Sequence, residues 1–210
     1  EILIGLVGSE MCIRDSSMPV AETASTFNEV LTVTAAIQAA QDKDEKLALI
    51  ESQLSDACQI ICDIYSRFLF ESSVFEARPQ EFLDADRLCQ LMLEAQKKAY
   101  GDGLDQTCLH PYMWLCKGHY YSGSLSFYNF PYAFGLLFGK GVFAQYQQKG
   151  AEFVPVYNQL LRSCGSDTVA NVAASVGIDV HSVDFWRQSL RVIEKDIELF
   201  IQLADEQTKG

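Results

Sequence analysis

Two glutamates in an early apolar segment are the first residues whose spacing could support chemistry. Glu22 and Glu29 lie seven residues apart, which on an α-helix separates them by only about 20° of rotation, so their side chains would share one face. Two like charges on a helix rich in Ala, Thr and Val are costly to bury unless a cation or hydrogen-bond donors offset them. Spacing alone leaves open both a shared site and two solvent-exposed glutamates.

A second candidate site combines one histidine with several phenols. His119, Tyr120 and Tyr121 precede a flexible Ser-Gly-Ser loop, and Tyr128 and Tyr132 follow it. Imidazole and phenol groups can donate hydrogen bonds to a carbonyl oxygen that gains negative charge during attack. Tyrosine clusters also form plain core or interface, and the pattern alone leaves that interpretation open.

Cysteine and histidine residues offer two further patterns, neither of them specific for a metal. Cys58 and Cys62 lie one helical turn apart with no histidine nearby, and we interpret both as small apolar core residues. A second group has the ligand types for tetrahedral zinc but not the spacing of a familiar zinc finger, and we predict core cysteines there as well. That group is Cys108, His110, Cys116 and His119.

The elements that must position these residues are predicted to be helices. Apolar residues recur at steps of three and four, Pro and Gly separate the periodic stretches, and no alternation of strands and helices is visible. We predict an all-α fold of six to eight helices in one compact unit, with irregular structure over residues 104–126. Helices are expected at 21–40, from a cap at Asp42 up to Pro79, at 80–100, 127–148, 151–163 and 165–176, and after a cap at Ser182.

The composition is that of an acidic globular protein. Of the 210 residues, 49% are apolar, and 28 Asp and Glu face 16 Lys and Arg, for a net charge of −12. This balance argues against a nucleic-acid partner, since phosphate contacts need clustered Lys and Arg. No stretch approaches the roughly 20 apolar residues that a membrane-spanning helix requires. Seven cysteines without the spacing of a disulfide framework predict reduced thiols and a cytoplasmic location.

The first residues differ in character from the rest of the chain. Residues 1–16 contain the sequence LVGSEMCIRDS, which resembles a translated sequencing-library adapter. We interpret 1–16 as a non-native segment and 17–210 as the native helical part. The alternative is a buried terminal strand, because ILIGLV is apolar and β-branched.

Taken together, the segment around Glu22 and Glu29 and the block that begins at His119 resemble the C-terminal part of the catalytic domain of oligoendopeptidase F. That enzyme belongs to the thimet oligopeptidase family of zinc metallopeptidases. The resembling stretches are AETASTFNE at 21–29 and HYYSGSLSFYNFPYAFG at 119–135, within a similarity that runs over 20–204. The resemblance implies a multi-helix part of a zincin-type domain that hydrolyses internal bonds of short peptides by zinc-activated water.

The resemblance also implies roles for individual residues. In that family, two histidines of a His-Glu-x-x-His helix and a later glutamate hold zinc, and Glu22 matches the position of that glutamate. Glu29 would accept a hydrogen bond from a zinc-bound imidazole. His119 and Tyr128 would act as catalytic residues on the carbonyl oxygen. The phenols of Tyr121 and Tyr132 would contact the substrate.

One departure from the family pattern is large. No histidine precedes His110, so the chain contains no His-Glu-x-x-His motif. We therefore expect a fragment that is inactive alone, because one glutamate cannot hold a catalytic zinc ion. The alternative function is a non-catalytic acidic helical module that binds a protein partner. A His-Glu-x-x-His motif within about 40 residues before Glu22 in the coding sequence would favour the peptidase.

Overall fold

A computed structural model describes residues 18–164 and 167–208, with the backbone alone at 18–22, 24 and 208. The described residues contain eight α-helices and no β-strand, which confirms the predicted all-α fold. Among these helices, none has both the length and the apolar character to cross a bilayer. The helices are α1 Met18–Ala39, α2 Lys43–Cys58, α3 Ile64–Ala77, α4 Ala85–Tyr100, α5 Phe130–Lys149, α6 Val154–Ser163, α7 Val169–Ser175 and α8 Val183–Thr208.

The chain divides into two compact units. Unit 1 combines Glu1–Ala57 with Phe134–Gly210, and unit 2 is Cys58–Ala133. The prediction of one compact unit was therefore wrong. Each unit has its own apolar core. In unit 1, α1 packs with α5 to α8. In unit 2, α3 and α4 pack with the loop that follows α4.

Unit 1 is built on close contacts between helices. Phe27 and Val30 of α1 are buried with Phe138 and Val142 of α5. A methyl group added at Gly141 of α5 would lie 2.5 Å from the Phe185 ring of α8. Gly141 therefore allows close packing of α5 against α8.

One buried lysine in unit 1 has polar partners. The Lys140 Nζ atom lies 3.4 Å from Asp196 Oδ2, and Gln53 Nε2 donates to the same oxygen at 2.7 Å. Burial lowers the pKa of Lys140, and the negative charges of Asp196 and Glu29 oppose that shift. The pair satisfies an otherwise costly buried charge.

Unit 2 holds its core between α3 and α4. Phe70, Leu91, Met92 and Ala95 are buried there. The predicted long helix up to Pro79 is present as consecutive segments, with a π-helical turn over Gln59–Asp63 between α2 and α3. Within this turn region, the Arg67 guanidinium forms an ion pair with the Asp63 carboxylate.

Two predicted helix starts were wrong, each for a local reason. Helix α4 begins at Ala85 instead of residue 80, because the Asp84 side chain accepts a hydrogen bond from Arg87 N–H and caps the helix there. Phe82, which a helix over 80–100 would have included, lies before the observed start and is 90% exposed. Helix α5 begins at Phe130 instead of residue 127, because Phe127 has a φ of 55°, which is not helical.

The interpretation of the cysteines as core residues was also wrong. Cys58, Cys108 and Cys116 are exposed, and Cys62 is half-buried. None of the six described cysteines forms a disulfide. Residues 1–16, with Cys12, lie outside the described residues.

Candidate functional site

Three of the predicted site residues come together in unit 2. His119 lies in a short 3₁₀ helix, Gly118–Tyr121, and Tyr128 lies two residues before α5. The His119 ring centroid is 5.9 Å from that of Tyr128. The Tyr128 and Tyr132 hydroxyl oxygens are 3.4 Å apart, within hydrogen-bond distance. One imidazole and two phenols thus form a single polar cluster.

The backbone just before Tyr128 is held by a distant side chain. Glu71 of α3, only 8% exposed, accepts a 2.8 Å hydrogen bond from the Phe127 N–H. The Phe127 ring also contacts the rings of Phe68 and Phe75, with centroids 5.3 and 5.6 Å away. These contacts fix the direction in which the chain presents Tyr128.

The charges around His119 favour its neutral form. Burial lowers the pKa of His119 below 6.5, and the positive charges of Arg67 and Lys117 lower it further. A neutral imidazole donates through one ring nitrogen and accepts through the other. At neutral pH, His119 can therefore donate a hydrogen bond without carrying a net charge.

A cavity of about 440 Å³ lies on the Tyr120 side of the same turn. Its wall includes the exposed ring of Tyr121, whose hydroxyl donates to the Trp114 carbonyl oxygen at 3.4 Å.

The Tyr120 hydroxyl and the Trp114 indole N–H are buried in this wall with no hydrogen-bond partner among the described residues. Burial raises the pKa of Tyr120, so its hydroxyl stays protonated. The cavity is therefore bordered by apolar and aromatic side chains. The other lining residues include Phe70, Val74, Phe75, Arg78, Leu83 and Leu88.

Glu22, the predicted zinc ligand, and Glu29, predicted to hydrogen-bond a ligand imidazole, belong to unit 1. Both lie on α1, where the Glu29 side chain is exposed. The Glu22 side chain lies outside the described residues. Across the described part of the chain, no three His, Cys, Asp or Glu side chains are placed to hold a metal ion. The described side chains alone therefore do not fit a zinc site.

Sequence reasoning missed three residues that shape this region. Glu71 positions the backbone before Tyr128, Arg67 lowers the pKa of His119, and Trp114 lines the cavity. Only Glu71 carries a signal in the sequence: it lies seven residues after the buried Ile64, on the same helical face. A lone carboxylate on a buried face indicates a polar partner.

Comparison with known proteins gives a consistent result. The model of peptidase family M3 matches residues 8–192. The chain is 26% identical over 197 residues to group B oligopeptidase PepB of Streptococcus agalactiae, which covers 93% of this chain and 32% of PepB. It is also 26% identical over 187 residues to an oligoendopeptidase F homolog of Lactococcus lactis, covering 88% of this chain and 30% of the relative.

A solved structure shares the fold. Oligoendopeptidase-F from Enterococcus faecium superposes with a TM-score of 0.82 at 18% sequence identity, over 98% of this chain and 39% of that one. The chain thus spans about a third of the length of the curated relatives it matches.

Proposed function

Because the chain belongs to peptidase family M3, we propose that it supplies the substrate-carbonyl contacts of a zinc-dependent oligoendopeptidase. The observation that carries this proposal is the cluster of His119, Tyr128 and Tyr132, next to the turn whose backbone is hydrogen-bonded to Glu71. The substrates are short peptides cut at internal bonds, a class that follows from the resemblance.

The cluster can stabilise charge that develops on a carbonyl oxygen. His119 in its neutral form and the Tyr128 phenol both carry N–H or O–H donors, and neither gains or loses a proton by donating. Tyr132, whose hydroxyl lies within hydrogen-bond distance of Tyr128, orients that phenol. The cavity lined by Tyr121 would accept an apolar side chain of the peptide next to the reacting carbonyl.

Zinc enters the proposal through the resemblance alone. We retain Glu22 as one proposed ligand and Glu29 as the carboxylate that orients a ligand imidazole. A catalytic zinc ion takes three protein ligands, and the described residues do not supply them. No step through the metal is therefore assigned to this chain, whose proposed work is to bind and orient the peptide carbonyl.

The thiols fit the proposed cytoplasmic location. None of the six described cysteines forms a disulfide, which suits a reducing compartment.

The test uses a polypeptide of the relatives' full length that contains this chain. Glu22→Ala should lose zinc and activity together, because a ligand is gone. Tyr128→Phe should keep zinc and lower kcat by about 10–1000-fold, since a donor to the developing oxyanion is missing. Tyr65→Phe, at an exposed phenol of α3, is the matched control and should leave kcat unchanged. Full zinc occupancy in the Glu22 variant, or an unchanged kcat in the Tyr128 variant, would overturn the corresponding assignment.

A further inference from the structure

Helix α8 has two apolar faces, and only one of them packs against the core of unit 1. Phe185 and Val192 lie on the core side. On another side, four large aliphatic residues are between 44% and 60% exposed. They recur at steps of seven, seven and four, which places them within about 40° of one another around the helix. These residues, the outer stripe of α8, are Val183, Leu190, Ile197 and Ile201.

The charges beside the outer stripe have a polarity along the helix. Arg187 and Arg191 lie in its first half, and Glu194, Glu198 and Asp205 in its second half, all of them exposed. At 100° per residue, all five fall on the same flank of the stripe. Asp184 and Lys195 are also exposed on this side but lie farther around the helix, at about 100° and 120° from Val183. Directly beside the stripe, the N-terminal half of the flank is therefore positive and the C-terminal half negative.

This polarity is self-complementary when two copies run antiparallel. The midpoint of the outer stripe, between Val183 and Ile201, is residue 192. An antiparallel pairing about residues 192–193 also sets Arg187 opposite Glu198 and Arg191 opposite Glu194 of the other copy. About the centre of these charge pairs, each residue of the outer stripe lies within two residues, about 3 Å along the axis, of a stripe residue of the other copy, so the apolar and charge patterns are compatible with one pairing.

We propose that a second copy of this chain docks on the outer stripe, α8 against α8, antiparallel about a two-fold axis at residues 192–193. Such an interface is isologous, because each charge pair occurs twice. The outer stripe spans about 27 Å of the 26-residue helix, and its four residues pair with those of the other copy in four apolar layers. With only four apolar side chains from each copy, we expect a weak dimer that forms at micromolar concentrations.

One local contact does not compete with this arrangement. Arg187 Nη1 lies 3.2 Å from Asp184 Oδ1 within the same helix, and both side chains are more than half exposed. An exposed pair of this kind contributes little, so Arg187 can turn toward Glu198 of the other copy.

The first experiment measures the mass of the full 210-residue chain by sedimentation velocity from low to several hundred micromolar, with a reductant present to keep the cysteines apart. We expect a monomer of 23.5 kDa in equilibrium with a dimer of twice that mass.

The double substitution Leu190→Glu with Ile197→Glu should leave only the monomer. Val154→Glu, at another exposed aliphatic residue of unit 1, should still dimerise, and far-UV circular dichroism confirms that each variant is folded. A wild-type monomer at every concentration, or a dimer that survives the double substitution, would overturn the proposal.

A second experiment tests the orientation by exchanging charges. Glu194→Arg with Glu198→Arg should weaken the dimer by about tenfold or more, because like charges then face each other across the seam. Adding Arg187→Glu and Arg191→Glu should restore the affinity, since the polarity is reversed but still self-complementary. In a parallel dimer, this flank of one copy lies beside the other flank of its partner, so these charges do not meet and the first pair of changes would not weaken association; that result would exclude the antiparallel seam. Because the wild-type pairs are exposed at the rim, added salt should weaken the dimer as well.

Discussion

The Glu71 carboxylate accepts a hydrogen bond from the Phe127 backbone N–H at 2.8 Å, across 56 residues of sequence. Phe127 has a φ of 55°, in the left-handed region, which costs a residue with a side chain about 1–2 kcal/mol. The bond offsets part of that cost at the residue that precedes Tyr128. Glu71 is therefore a positioning residue for the polar cluster, although it does not belong to the cluster.

Two substitutions of Glu71 distinguish the effect of losing the hydrogen-bond acceptor from the effect of losing the negative charge. Glu71→Ala leaves the Phe127 N–H without its acceptor and should lower the free energy of unfolding of unit 2 by about 1–3 kcal/mol. Glu71→Gln keeps a carbonyl acceptor and should cost about 1 kcal/mol or less. Urea unfolding followed by Trp114 fluorescence measures both, in a Trp186→Phe background that removes the second tryptophan. Equal losses in the two variants would show that the acceptor is not what matters.

The stability of unit 2 should depend on pH through His119. Its pKa in the folded chain lies below 6.5 because of burial and of the charges on Arg67 and Lys117. Between that lowered pKa and 6.5, the unfolded chain binds more protons than the folded chain, so stability rises as the pH rises toward 6.5 and falls as the pH drops through this window. His119→Gln should remove that part of the pH dependence.

NMR titration of the histidine ring signals measures the pKa of His119 directly, and the His119→Gln variant assigns its resonance. Lys117→Gln should raise the pKa of His119, because one of the positive charges that lower it is removed. A His119 pKa at or above 6.5 in the unmodified chain would contradict the proposed neutral donor.

The Tyr120 hydroxyl should be dispensable for stability, unlike most buried hydroxyls. It is buried with no hydrogen-bond partner among the described residues, so the folded state bears the cost of removing it from water. Tyr120→Phe keeps the ring that packs on Phe70 at 5.3 Å and should leave the urea midpoint unchanged or raise it. A loss of more than about 1 kcal/mol would indicate that the hydroxyl has a partner.

The spacing of apolar residues predicted most of the helices. Apolar residues at steps of three and four identify the buried face of a helix, and this signal does not depend on which element covers that face. The start of α4 was misplaced because the apolar Phe82 extended the pattern, while the Asp84 cap acted locally. The Glu71 bond to Phe127 could not be read from any period, since it joins residues far apart in sequence. The roles proposed for His119 and Tyr128 came from the resemblance, because spacing alone left a plain tyrosine cluster equally open.

The close contact between α5 and α8 should make Gly141 intolerant of any side chain. Alanine in a helix interior is favoured over glycine by about 1 kcal/mol, but its methyl group would lie 2.5 Å from the Phe185 ring and 2.7 Å from Ser189 Oγ. Both neighbours are buried and cannot move aside without disturbing the core. Overpacking of this kind costs about 1–3 kcal/mol, so Gly141→Ala should destabilise unit 1 despite the better helix former.

Urea unfolding followed by Trp186 measures this effect, because its ring contacts Phe185 with centroids 5.0 Å apart. A Trp114→Phe background leaves Trp186 as the reporter. Gly123→Ala is the control, since a methyl group there meets nothing within 4 Å, and it should leave the midpoint unchanged. Adding Phe185→Leu to Gly141→Ala should recover part of the loss, because the smaller side chain makes room for the methyl group. A Gly141→Ala chain more stable than the parent would mean that α5 and α8 are not in close contact at this residue.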